Sequence, residues 1–147
     1  MSDAGAAAPV PADFPVLHPI TTRWKDNDVY GHVNNVEYYS FFDSAINTTL
    51  IRDGGLDIER GAVIGVCAES RCRYHASVSF PGTVRCGVRV DRLGRSSVTY
   101  GLGLFDEEDR LVAEGSFVHV FVDRDERRPT PIPDRLRSAL AALVVAS

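Results

Sequence analysis

Two carboxylates and two adjacent asparagines lie close together within residues 24–41. Asp26 and Asp28 follow a run of residues typical of a strand, and Asn34 and Asn35 stand where a helix begins. A carboxylate can attack a carbonyl carbon directly or act as a general base for water. Free N–H groups in the first turn of a helix, aided by the helix dipole, can stabilise the oxyanion that forms. The segment therefore carries the two parts needed for chemistry on a carbonyl group.

A turn and a long helix must position these groups. Gly31 marks the turn, because glycine adopts backbone conformations that other residues avoid. The spacing of apolar residues predicts a helix from Asn35 to Arg52, which the asparagines cap and Gly54 and Gly55 end. Its apolar residues cover one broad face and extend beyond it, so we expect a helix that is covered on most sides.

The rest of the chain shows mainly the alternation of apolar and polar residues that is typical of strands. The expected elements are strands over residues 19–24, 66–75, 83–91, 97–104 and 111–122, and a short helix over residues 134–145. The last strand becomes apolar on both faces near its end, which indicates burial of one face by another subunit. We therefore expect an α+β fold in which the long helix covers one face of an antiparallel sheet of about five strands.

Length and charge limit the class of protein. The 147 residues suit a single domain, expected over residues 14–147, and the Ala- and Pro-rich residues 1–13 are interpreted as a mobile N-terminal tail. The net charge of −4 argues against non-specific binding to nucleic acid, which needs a basic surface. No stretch resembles a signal peptide or approaches the ~20 apolar residues of a membrane span, so we expect no membrane partner.

The cysteines and histidines give no sign of a metal site. Cys67, Cys72 and Cys86 lie in strand-like patterns without CxxC spacing, which favours reduced, buried thiols and a cytoplasmic location. The histidines also lack the spacing of metal ligands, so we expect no metal. Neither a Gly-x-Ser-x-Gly elbow nor a phosphate-binding loop occurs, and no cofactor is expected.

The motif at residues 26–35, Asp-Asn-Asp-Val-Tyr-Gly-His-Val-Asn-Asn, is followed by a tyrosine at Tyr38 or Tyr39. This pattern resembles the 4-hydroxybenzoyl-CoA thioesterase-like family of acyl-CoA thioesterases, and the resemblance extends over roughly residues 16–124. It implies the hotdog fold, in which a curved antiparallel sheet wraps around one long central helix. It also implies a homodimer or homotetramer with active sites between subunits, and an acyl-CoA thioester as substrate.

The resemblance further implies roles for individual residues. The second acidic residue of the family motif is catalytic, which falls on Asp28 here, and the family's electrophilic donor is the backbone N–H that falls on Asn35. The family's basic and hydroxyl residues that bind the phosphates of coenzyme A match the turn at residues 94–97 of this chain. The substrate-binding candidates are Gly31 and His32 in the loop, Tyr38 and Phe42 on the acyl pocket, and Arg95, Ser96 and Ser97 at the coenzyme A phosphates.

Several alternatives stay open at this point. Asp28 can act as nucleophile or as general base, or can simply hold a turn, whereas Asp26 is interpreted as structural. His32 could be a hydrogen-bonded structural histidine, or could pair with Asp28 in a hydratase or dehydratase. Glu37 and Asp43 on the helix are alternative essential carboxylates. A non-catalytic acyl-CoA binding protein would use the same residues without turnover.

Overall fold

The structure is a computed structural model that describes residues 7–145. Five strands and two α-helices follow one another in the order strand, helix, four strands, helix. They are β1 Val16–Thr21, α1 Asn35–Arg52, β2 Val63–Tyr74, β3 Thr83–Leu93, β4 Ser97–Phe105, β5 Leu111–Asp123 and α2 Asp134–Ala141.

The five strands form one antiparallel sheet in the order β1-β3-β4-β5-β2, so that β1 and β2 are its edges. Alternate residues of β3, β4 and β5 face α1 and form the core with it; Val88, Tyr100 and Phe121 are almost completely buried there. Burial of this apolar face against one helix is the main source of stability. The architecture is the α+β hotdog fold, as predicted.

Helix α1 has the predicted bounds, and its burial shows which face meets the sheet. The buried positions recur every three or four residues: Tyr38, Phe41, Phe42, Ala45, Ile46, Thr49 and Leu50. Val36 and Ile51, two other apolar residues of this helix, are 69% and 42% exposed. The helix therefore buries one stripe in the single chain, and the expected cover on most sides is not present there.

Strand β2 departs from simple alternation. A β-bulge between Cys67 and Glu69 inserts Ala68 as an extra residue, so that Cys67 lies opposite His119 and Ser70 lies opposite Phe117. Because directly paired residues share a face, Cys67 and Ser70 point to the same side of the sheet. Simple alternation over the predicted strand 66–75 would place them on opposite faces, since an inserted residue reverses the alternation without changing the hydrophobic pattern visibly.

Several boundaries differ from the predicted ones: β1 begins at Val16, β2 spans Val63–Tyr74, and β3, β4 and β5 extend one or two residues further. Strand β1 ends at Thr21 because residues 24–26 turn into a short 3-10 helix, and α2 ends at Ala141, after which Val144 forms a bridge with Val90. The mobility of residues 1–13 stays a prediction: residues 1–6 lie outside the described part, and Pro11–Asp13 form a 3-10 turn.

Candidate active site

The loop that carries the motif is a miniature hairpin. Asn27 and Val33 form an antiparallel bridge, the Asp28 N–H donates to the His32 carbonyl at 3.0 Å, and the Gly31 N–H donates to the Asp28 carbonyl at 3.1 Å. Gly31 has φ +83°, the left-handed conformation that such a turn places after its second central residue. The glycine is therefore required by the backbone of the loop that presents Asp28.

The segment that follows β2 holds this hairpin from one side. Three hydrogen bonds join them: Val33 N–H to the Val78 carbonyl at 2.8 Å, Ser79 Oγ to the Gly31 carbonyl at 2.9 Å, and Phe80 N–H to Asn27 Oδ1 at 3.1 Å. The partners are about fifty residues apart in the chain, and sequence patterns carry no signal for such a link. The loop is consequently fixed by tertiary contacts as well as by its own turn.

Asp26 is fully buried and forms hydrogen bonds with the backbone around it. Its carboxylate accepts a hydrogen bond from the Arg23 N–H at 2.7 Å and forms an ion pair with the Arg23 guanidinium at 2.9 Å. Its carbonyl accepts the Asn34 N–H at 2.8 Å, which places the start of α1. These contacts support the structural interpretation of Asp26.

Asp28, in contrast, has one oxygen engaged and one nearly open. Oδ1 accepts the Tyr30 N–H at 2.8 Å, the side-chain turn that Asp commonly forms with the second residue after it. Within the described residues, Oδ2 has a single long polar contact, 3.4 Å from the Asn34 Nδ2. The carboxylate is therefore oriented by the turn, and its second oxygen lies beside the first residues of α1.

The first turn of α1 leaves one donor unused. The Val36 N–H donates to the Asn34 side chain at 2.9 Å, and the Glu37 N–H donates to the Asn34 carbonyl at 2.9 Å. Within residues 7–145 the Asn35 N–H has no acceptor, and Asn35 is exposed. A free N–H at a helix start, with the dipole behind it, suits an oxyanion.

His32 lies on the surface of the hairpin. Its backbone pairs with that of Asp28, but its side chain makes no hydrogen bond to any residue in the described part of the chain. Neither the hydrogen-bonded structural histidine nor a preformed Asp28–His32 side-chain pair is present. Its role in binding substrate stays a prediction.

The aromatic residues expected on the acyl pocket point into the core. Tyr38 is 3% exposed, with its hydroxyl 3.5 Å from the Ala76 carbonyl, and Phe42 is fully enclosed and packs edge-on against Phe117. Tyr39, the neighbouring tyrosine, is partly exposed and also packs against Phe117, with a centroid distance of 6.1 Å. A pocket wall formed by Tyr38 and Phe42 stays a prediction, since neither offers an open surface in the single chain.

Arg95, Ser96 and Ser97 form the turn between β3 and β4. The Gly94 N–H donates to the Ser97 carbonyl at 2.8 Å, which closes the turn. Strand β3 is eleven residues long and therefore spans roughly 35 Å. The Asp28 loop lies near its beginning and Arg95 follows its end, so one chain does not bring the two groups together.

No helix within residues 7–145 is long and apolar enough to cross a membrane. Over the same residues, no three His, Cys, Asp or Glu side chains are grouped as metal ligands would be.

Comparison with known proteins places the chain in a family. The model of the thioesterase-like superfamily matches residues 22–140. The crystal structure of the PA5185 protein of Pseudomonas aeruginosa is 55% identical and covers 95% of this chain and 98% of its own, with a TM-score of 0.91. A presumed thioesterase from the same organism, PA2801, is 35% identical over 84% of this chain and 95% of its own, with a TM-score of 0.79.

A more distant structure shares the fold alone. The 1,4-dihydroxy-2-naphthoyl-CoA thioesterase Slr0204 of Synechocystis is 15% identical, covers 85% of this chain and 94% of its own, and has a TM-score of 0.77. The family match spans the Asp28 loop, the long helix and all of the sheet except β1. The chain belongs to the thioesterase-like superfamily of hotdog proteins.

Proposed function

We propose that this protein hydrolyses acyl-CoA thioesters and uses Asp28 and the Asn35 N–H to do so. One observation carries the proposal: the open oxygen of Asp28 lies 3.4 Å from the cap residue Asn34, and the next N–H along the chain is a free donor at a helix start. The side chain of Asn34 thus lies between a carboxylate on the loop and a free donor at the start of the helix.

The reaction follows from these two groups. The thioester carbonyl oxygen accepts the Asn35 N–H, and negative charge that develops on this oxygen is stabilised by the donor and the helix dipole. Asp28 Oδ2 either attacks the carbonyl carbon or removes a proton from a water molecule that attacks it. The carbon–sulfur bond then breaks and the thiolate of coenzyme A leaves. If Asp28 attacks directly, the acyl group forms a mixed anhydride with the carboxylate. Water then hydrolyses this anhydride, which releases the acid and restores the carboxylate.

Coenzyme A is proposed to bind at Arg95, Ser96 and Ser97 of a second subunit. Strand β2 is an edge strand whose middle, residues 67–71, is exposed, and an unpaired edge of this length is a ready surface for another strand. The Asp28 loop lies at the Tyr74 end of β2, and Arg95 lies at the Val63 end of the sheet. A two-fold pairing of β2 with its copy reverses the partner and brings its Arg95 to the end that holds Asp28.

A thiol-release assay with short, medium, long and aromatic acyl-CoAs tests the proposed activity. Turnover of at least one of these substrates is expected. Loss of an enoyl-CoA without release of thiol would instead indicate a hydratase, and tight binding without turnover would indicate a binding protein.

A further inference from the structure

Tyr74, the last residue of β2, reaches across to the start of the long helix. Its hydroxyl donates to the Asn35 carbonyl at 3.0 Å, although the two residues are 39 positions apart. The ring packs against Tyr38, with a centroid distance of 5.1 Å, and the residue as a whole is 42% exposed. The side chain is therefore braced on one side and carries its hydroxyl to the helix.

This contact fixes the peptide group next to the free donor. The carbonyl of Asn35 accepts from Tyr74, and the N–H of Val36 in the same peptide group donates to Asn34 at 2.9 Å. Hydrogen bonds therefore hold the peptide group on one side of the Asn35 Cα. The peptide group on the other side carries the Asn35 N–H, and its Asn34 carbonyl accepts the Glu37 N–H at 2.9 Å. Helix ends without such contacts fray easily.

The hydroxyl of Tyr74 is a dependable donor near neutral pH. Burial of the hydroxyl, together with the neighbouring Cys72 thiol, raises the pKa of Tyr74 to about 12. The group therefore stays protonated throughout the range in which the enzyme would work, and its hydrogen bond to Asn35 persists.

We propose that Tyr74 is a positioning residue for thioester hydrolysis. Its hydroxyl holds the first turn of α1 so that the Asn35 N–H stays directed at the thioester carbonyl. The inference rests on the proposed function, because it assigns a support to the oxyanion donor named there. In this role Tyr74 acts through the helix backbone and takes no part in the bond changes itself.

Tyr74→Phe removes the hydroxyl and keeps the ring. A small misplacement of a catalytic group is costly, so kcat is expected to fall about tenfold while KM changes by less than about twofold. The matched control is Tyr100→Phe, which makes the same chemical change in the core. The Tyr100 hydroxyl lies 3.4 Å from His119 Nδ1. This control is expected to lower stability and to leave kcat within about twofold of wild type.

Two unreactive analogues separate positioning from simple support of the fold. A ketone analogue, with CH2 in place of sulfur, keeps the carbonyl that accepts the Asn35 N–H, whereas a thioether analogue lacks it. Tyr74→Phe is expected to weaken binding of the ketone several-fold and to leave binding of the thioether unchanged. An equal effect on both analogues would assign Tyr74 a structural role only.

The outcomes also distinguish this inference from the proposed function. If the wild-type protein releases no thiol from any acyl-CoA and binds neither analogue, the proposed function fails. If the wild type is active and Tyr74→Phe keeps the wild-type kcat and ketone affinity, the activity stands and the role of Tyr74 is refuted.

Discussion

The side-chain amide of Asn34 lies 3.4 Å from Asp28 Oδ2. The same side chain accepts the Val36 N–H at 2.9 Å and so caps α1. One residue thereby connects the carboxylate of the loop to the first turn of the helix. The distance between the carboxylate and the free N–H of Asn35 consequently depends on a cap that also stabilises the helix.

Asn34→Ala is expected to affect both properties. Loss of an N-cap side chain typically lowers the free energy of unfolding by about 1 kcal/mol, and loss of the link to Asp28 should lower kcat as well. The control Asn34→Ser keeps an oxygen that can cap the helix but lacks the amide donor. Denaturant unfolding and steady-state kinetics should show near-normal stability and reduced kcat for Asn34→Ser. Normal kcat in both variants would show that the link is not used.

The loop that presents Asp28 should be sensitive at Gly31. A Cβ there meets no atom within 4 Å, but the φ of +83° is unfavourable for most side chains. Gly31→Ala is expected to destabilise the fold by about 1 kcal/mol and to lower activity. Gly31→Asn, which tolerates this conformation better, should lie closer to wild type in thermal unfolding. Equal losses for the two variants would indicate that backbone conformation is not the cause.

The outer face of the sheet depends on a close approach between Phe14 and the glycine pair Gly87 and Gly103. A Cβ on Gly87 would lie 2.4 Å from Phe14 Cγ, and one on Gly103 would lie 2.7 Å from the same ring. Gly87→Ala should therefore lower the free energy of unfolding by about 1–3 kcal/mol. The double variant Gly87→Ala, Phe14→Leu should recover part of this loss. If the changes that the two substitutions make in the free energy of unfolding simply add, the proposed clash between Phe14 and the new Cβ is contradicted.

Stability is expected to fall on mild acidification. Burial lowers the pKa of His119, and burial likewise lowers that of His18, so each takes up its proton at a lower pH in the folded chain than in the unfolded chain. The unfolded chain takes up these protons as pH falls through about 6.5, and the folded chain takes them up only at lower pH, so this contribution to stability is full above about pH 6.5 and decreases as pH falls further. Unfolding followed between about pH 7.5 and 5.5 should show this loss. His119→Phe should reduce the slope of the free energy of unfolding against pH. An unchanged slope would exclude His119 as a contributor.

The shared site can be tested by complementation. Asp28→Asn and Arg95→Ala subunits, each impaired alone, are co-refolded and assayed at low acyl-CoA concentration. A mixed dimer with Asp28 from one chain and Arg95 from the other contains one intact site, so random pairing should restore up to about a quarter of the wild-type activity. Activity no greater than the sum of the two separate variants, with dimers present by light scattering, would place both groups in one subunit's site.

Much of this arrangement is predictable from local sequence. Helix α1 begins and ends where the cap at Asn34 and the glycines after it indicate, because these signals act within a few residues. The φ of Gly31 follows from the turn in the same way. The hydrophobic pattern also predicts a five-stranded sheet covered by a helix.

Long-range contacts are what the sequence does not reveal. The hydrogen bonds from Ser79 to the loop and from Tyr74 to Asn35 join residues about forty to fifty positions apart. The bulge at Ala68 changes which residues of β2 share a face. The broad apolar surface of α1 likewise hides the fact that Phe42 points into the core while Tyr39 remains partly exposed, since both belong to the same pattern.

The most direct test of the account compares thiol release by wild type and Asp28→Asn over the acyl-CoA panel, with Asp43→Asn and Glu37→Gln as matched carboxylate controls. The account predicts turnover of at least one substrate by wild type, a loss of about 100-fold or more in Asp28→Asn, and near-normal rates in both controls. Full activity in Asp28→Asn, with loss in either control, would contradict the central assignment.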